Sequence, residues 1–138
     1  MLDLAAATAA LYSRLASDTE GATARALVPS VVVRAALEGY TDALSVPSLP
    51  LAAYQETSLT GNDRDGFRIT FRWWLYDRVE KGYYRINQAI GAIIAAYPSE
   101  EAIGGLYVTC TGATEGRPDA AMWNMPARAV SFVAYTRQ

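Results

Sequence analysis

The sequence has no histidine and a single cysteine among its 138 residues. Without histidine, the commonest general base, the commonest metal ligand and the usual nucleophile and base triads are missing. Cys110 alone can close no intramolecular disulfide and build no cysteine-rich metal site. Its strand-like surroundings make it a packed thiol before a nucleophile. Lysine is also scarce: of 12 bases, all but Lys81 are arginine. Against 14 acids these leave a net charge of -2, which excludes the basic footprint of a protein that grips nucleic acid by its phosphates. The arginine excess favours interface ion pairs, where a planar guanidinium outperforms an ammonium. Long hydrophobic runs are lacking too, since every apolar stretch breaks before the roughly 18 to 20 residues of a membrane span. "MLDLAAATAALY" carries Asp3 where a signal peptide would be cationic. The expectation is a soluble protein made in the cytosol, with no membrane partner.

What is present fits one domain over residues 1–138, with 51% hydrophobic residues to fill a core. Leu4, Leu11 and Leu15 recur at helical spacing before Gly21, predicting a helix from about Leu2 to Ser17. Residues 22–50 form a proline-bearing excursion in which "VPSVVVR" reads as a short strand. "AAYQETSL" and "FRITFRWWLY" flank the polar "TGNDRDG", predicting a β-hairpin with a mobile tip. Asp77 and Glu80 stand in capping-box spacing ahead of Val79, Tyr83, Ile86, Ile90, Ile93, Ile94 and Tyr97, a helical stripe that Pro98 ends. "GLYVTCTGAT" and "RAVSFVAYT" then read as two strands separated by "EGRPDAAMWNMPA". The expected fold class is α+β: a two-layer domain with an antiparallel sheet of about four to five strands packed on two helices.

In "FRITFRWWLYDR", Phe67, Ile69, Phe71, Trp73 and Leu75 alternate with Arg68, Thr70, Arg72, Trp74 and Tyr76. The first row faces the core. The second begins as a solvated face and ends in an aromatic pair, which marks it as an association surface. Arg68 and Arg72 read either as solvated charges or as intersubunit ion-pair donors. Trp74 and Tyr76 read as contacts to a neighbour. Trp123, between Met122 and Met125, reads as a lid over the core edge or as a protruding contact.

Catalytic and ligand motifs fail on inspection. "GNDRDG" matches three interior positions of a calcium loop, but Gly61 stands for the first acid and Arg72 for the bidentate glutamate. "TGATEG" lacks the spacing and the lysine of a phosphate loop. The adjacent Glu100 and Glu101 read as solvation of a helix end, not as an acid and base pair. No enzyme activity, metal or cofactor is expected.

The order of these elements brings a family into view. An N-terminal helix, a proline-bearing excursion, "LPLAAYQE", a long strand closing in "WWLYDR", an amphipathic helix and a last hairpin carrying "RPDAAMWNMPARAVSFVAYT" resemble the tail-terminator or tail-completion proteins of long-tailed bacteriophages. The likeness runs over most of the chain, is closer from Pro50 onward, and lies in element order and total length more than in any signature. It implies one tail-terminator-like domain that assembles into a homo-oligomeric ring, usually a hexamer, at the head-proximal end of the tail tube. Such a ring stops tube polymerisation, meets the tail tube protein on one side and the head-tail connector on the other, and lets DNA pass through its lumen without specific binding. Its place is the virion, after assembly in the host cytoplasm; related prophages and gene transfer agents use similar parts. The excursion from Ala22 to Pro50 is longer than the family's usual connector, so no role is carried onto it. A neck connector of the same particle, or a small ligand-binding domain or enzyme, are the alternative readings.

Overall fold

Branched and aromatic side chains alternating with polar ones drive the segment after Gly66 into a strand, and it becomes the centre of a six-stranded sheet. The computed structural model describes residues 2–33, 50–62, 64–77, 83–115 and 127–137. Along the chain come α1 (Leu4–Ala16), a 3₁₀ turn (Thr19–Gly21), α2 (Ala22–Leu27), β1 (Ser30–Val33), β2 (Leu51–Asn62) and β3 (Gly66–Tyr76). They are followed by α3 (Tyr84–Ala96), β4 (Ala102–Ile103), β5 (Leu106–Glu115) and β6 (Ala127–Tyr135). The sheet order is β1-β2-β3-β6-β5-β4. Neighbours are antiparallel except β1, which runs parallel to β2 with Ser30 opposite Leu51 and Val33 opposite Tyr54.

The α+β class is as expected, but among the described residues the sheet has six strands and is mixed, not four to five and antiparallel, and a third helix joins the two foreseen. β4 is too short to show an alternation, and α2 too short to show a helical period. The chain turns from β4 into β5 through Gly104 and Gly105, both at positive φ, as a two-residue hairpin turn demands. A Cβ on Gly104 would lie 2.9 Å from the Cα of Ala7, so the turn can sit against α1 only as glycine. At the β2–β3 turn, Asn62 Oδ1 accepts the backbone N–H of Arg64 and Asp65, and the Asp65 carboxylate bonds Asn62 Nδ2. Local turn chemistry therefore occupies the groups considered for calcium; Asp63 lies outside the described residues.

α1 begins at Leu4, the first of its leucines and two residues after the predicted start: Asp3 caps it, its carboxylate accepting from Ala6 N at 3.1 Å. The helix buries Ala7, Leu11 and Leu15 against the sheet. α3 contributes Ile86, Ala89, Ile90 and Ile93, while Ile94, a member of the predicted stripe, is 38% exposed and lies outside the buried one. The predicted capping box is also corrected. The residue before the helix is Tyr83, which makes no side-chain cap, and Asp77 is buried with its carboxylate held by Arg85. Glu80 falls outside the described residues.

On the sheet side, Ile69, Phe71, Trp73 and Leu75 are buried as predicted; Phe67 at the strand's start is half-buried. Phe71 stacks on Phe132 with centroids 5.2 Å apart, and Tyr97 tilts against both. Trp73 Nε1 donates to the Tyr97 hydroxyl at 3.0 Å, and that hydroxyl donates to the Leu11 carbonyl. Burial pushes the Tyr97 phenol up, which keeps it a neutral donor. The chain of bonds ties β3 to α1 through the residue that ends α3. Cys110, half-buried, packs against this core.

Candidate assembly surface

The opposite face of the sheet carries the residues singled out in the sequence, and register puts them in rows. Thr60, Arg68, Tyr135 and Tyr107 share one row; Ser58, Thr70, Val133 and Thr109 the next. Gln55, Arg72, Ser131 and Gly112 follow, then Ala53, Trp74 and Ala129, then Leu51, Tyr76 and Ala127. Among the described residues no carboxylate stands on these rows.

The face divides in two. At the end with Leu51, Ala53, Tyr76, Ala127 and Ala129, every one of these side chains is fully buried. Tyr76, expected as a contact to a neighbour, is 0% exposed within its own chain and so cannot present itself to one. The alternation that placed it beside Arg68 was right about the face and wrong about what covers that end. Trp74 sits at the boundary, half-buried, its Nε1 donating to Gln55 Oε1 at 2.9 Å and its ring stacked on Tyr76 with centroids 6.4 Å apart. Arg72 lies 5.8 Å from the Trp74 ring centroid, and its buried Nε has no hydrogen-bond partner. Trp123 lies outside the described residues.

The other end is open. Arg68 is exposed, and with Thr109, Val133 and Tyr135 it lines a shallow cavity of about 330 Å³. Thr109 and Arg137 both hydrogen-bond the Tyr135 hydroxyl and hold its pKa below the ordinary phenol value. Arg137 also lies over the Tyr107 ring, 3.8 Å from its centroid. Thr57, Ser58 and Thr70 add a cluster of mutually bonded hydroxyls. Sequence reading missed Thr109 and Tyr135; their alternation with the core residues Val108 and Ala134 was the available signal.

The edges of the sheet are as informative as its face. β1 pairs with β2 along Leu51–Tyr54, and β4 pairs with β5 at Leu106 and Tyr107. Among the described residues, the rest of each strand, 55–62 of β2 and 108–115 of β5, is paired on its inner side alone. Among the described residues there is no cluster of three or more His, Cys, Asp or Glu side chains able to hold a metal, and no helix long and apolar enough to cross a membrane. The chain matches no family model and no curated protein.

Proposed function

We propose that the protein is a structural element of a long-tailed phage or related particle, a ring of identical copies that caps the head-proximal end of the tail tube. The observation that supports this reading is the open half of the second sheet face. It is a broad strip of arginine, tyrosine and hydroxyl side chains without a described carboxylate, suited to contact over an area more than to holding one small ligand. The resemblance in element order supplies the particle and the position, and a hexamer is the expected ring. In that setting the cap halts addition of tube subunits, receives the connector on its far side, and leaves a lumen through which DNA slides.

The test is a reconstitution. Purified protein is added to polymerising tube protein, and tube lengths and ends are measured by electron microscopy. Growth should stop at one end, which carries a single additional disc. Tubes that grow on undisturbed, with the protein bound only to connector, favour the neck-connector reading; no binding to either rejects both.

A further inference from the structure

We infer that copies of this chain join edge to edge, the open part of β5 in one copy pairing with the open part of β2 in the next to form a sheet continuous across subunits. This rests on the homo-oligomeric reading above and specifies its interface. The two open edges lie on opposite sides of the sheet, so a contact between them is head-to-tail and propagates until rotation closes it. β2 and β5 run in opposite directions in the sheet, so the new pair is antiparallel, like every neighbouring pair from β2 to β4.

Register is set by which face each side chain takes. Leu59 lies opposite Ile69 and Cys110 opposite Phe132, so both belong to the helix-covered face. Placing Leu59 opposite the neighbour's Cys110 brings Gly61 opposite Val108 and Glu56 opposite Ala113, the last two lying in the rows of Phe71 and Val130 on the helix-covered face. Residues meeting on either side of the bulges then share a face. The pair stops just short of Tyr54 and Tyr107, the rows already taken by β1 and β4. The register shifts at Glu56/Ser58 of β2 and Cys110/Gly112 of β5 fall opposite one another, so neither bulge forces the edges apart. Leu59, 51% exposed, is the largest apolar side chain on the β2 edge and loses that exposure in the pair. Neither open edge carries the lysine or proline that commonly blocks such pairing.

The native cysteine makes the test direct. β2 and β5 are separated by three strand spacings, roughly 14 Å, beyond the ~7 Å that a disulfide can bridge, so Leu59→Cys can link to Cys110 only between copies. Mild oxidation of Leu59→Cys should give a ladder of covalent oligomers on non-reducing gels, absent from wild type and from Leu59→Cys/Cys110→Ser. Leu59→Lys should raise the dissociation constant of the assembly at least tenfold by sedimentation, with unchanged circular dichroism. A cross-link that survives Cys110→Ser joins two β2 edges and overturns the pairing. Wild-type oligomers that persist in Leu59→Lys, with no cross-link in Leu59→Cys, overturn it while leaving the ring standing. Wild-type protein that stays monomeric at all concentrations, alone and with tube protein, rejects both.

Discussion

Arg14 sets its guanidinium against the carboxylate of Glu101, 87 residues along the chain, in two parallel hydrogen bonds of 3.1 and 2.9 Å. Its Nε donates to the carbonyl of Ala96 at 2.7 Å, satisfying one of the acceptors that the end of α3 leaves open. A planar fork with a fixed set of donors is what this junction of α1, α3 and the approach to β4 requires, and lysine could not supply it. The pair of glutamates read from sequence as solvation of a helix end is therefore split: Glu101 belongs to a structural clamp.

Arg14→Met should destabilise the fold by about 1–3 kcal/mol, because a buried carbonyl loses its donor while the aliphatic stem is kept. Glu101→Gln should show the pH signature of the clamp. The hydrogen bond from Arg14 holds the Glu101 carboxyl below its ordinary value, so its contribution is present above the unfolded pKa and lost as pH falls through the folded one. Melting curves of wild type and Glu101→Gln should thus differ at neutral pH and converge in strong acid. A difference that stays constant down to strong acid would rule the mechanism out.

Tyr97→Phe leaves the ring packing in place and removes only the acceptor of Trp73 Nε1 and the donor to Leu11. The expected loss is about 1–3 kcal/mol, the cost of a buried N–H without a partner. Tyr12→Phe makes a useful contrast: its hydroxyl reaches the Val31 carbonyl only at 3.5 Å, in a part-buried place, so denaturant midpoints should barely move. Equal losses in the two variants would show that the Tyr97 hydrogen bonds are not what holds α1 to β3.

The sequence disclosed the period of each long element and little of what the elements meet. Ile69 to Leu75 and the Ile86, Ile90, Ile93 series were readable because burial on one face imposes a period on the chain itself. Asp77 was misread because capping-box spacing is a local pattern, whereas its carboxylate is held by Arg85. β1 was found as a strand, but no period within its four residues tells which strand it pairs with or in which direction, and Ser30 meets Leu51 across the sheet. Tyr76 was misplaced for a similar reason: alternation tells which face a side chain takes, and the cover changes halfway along that face.

That change of cover separates Tyr76 from Arg68. Tyr76→Ala should cost about 3–5 kcal/mol, as for other fully buried aromatic rings, and should unfold the chain or nearly so. Arg68→Glu, at the open end, should leave the melting temperature within about 2 °C, since surface substitutions usually shift stability by under ~0.5 kcal/mol. If the open face is a contact surface, Arg68→Glu should nevertheless weaken assembly or tube binding at low salt, and less so as salt screens the charge. Normal assembly by a folded Arg68→Glu would remove this end of the face from the interface.

The functional proposal makes its sharpest prediction in the particle. A cap that controls length by occupancy must bind the last layer of the tube and offer the next tube subunit no equivalent surface. Deleting the gene should therefore let tube subunits keep adding, giving filled heads without tails beside tails of irregular and excessive length. Leu59→Lys, if it blocks ring closure while preserving the fold, should reproduce that phenotype, whereas a wild-type copy supplied in trans should restore uniform lengths. Tails of normal length that fail to join heads would instead place the protein at the neck, because termination would then be complete before it acts. Particles unaffected by the deletion would remove the protein from the virion altogether, and with it the reason for reading the open sheet surface as an assembly contact.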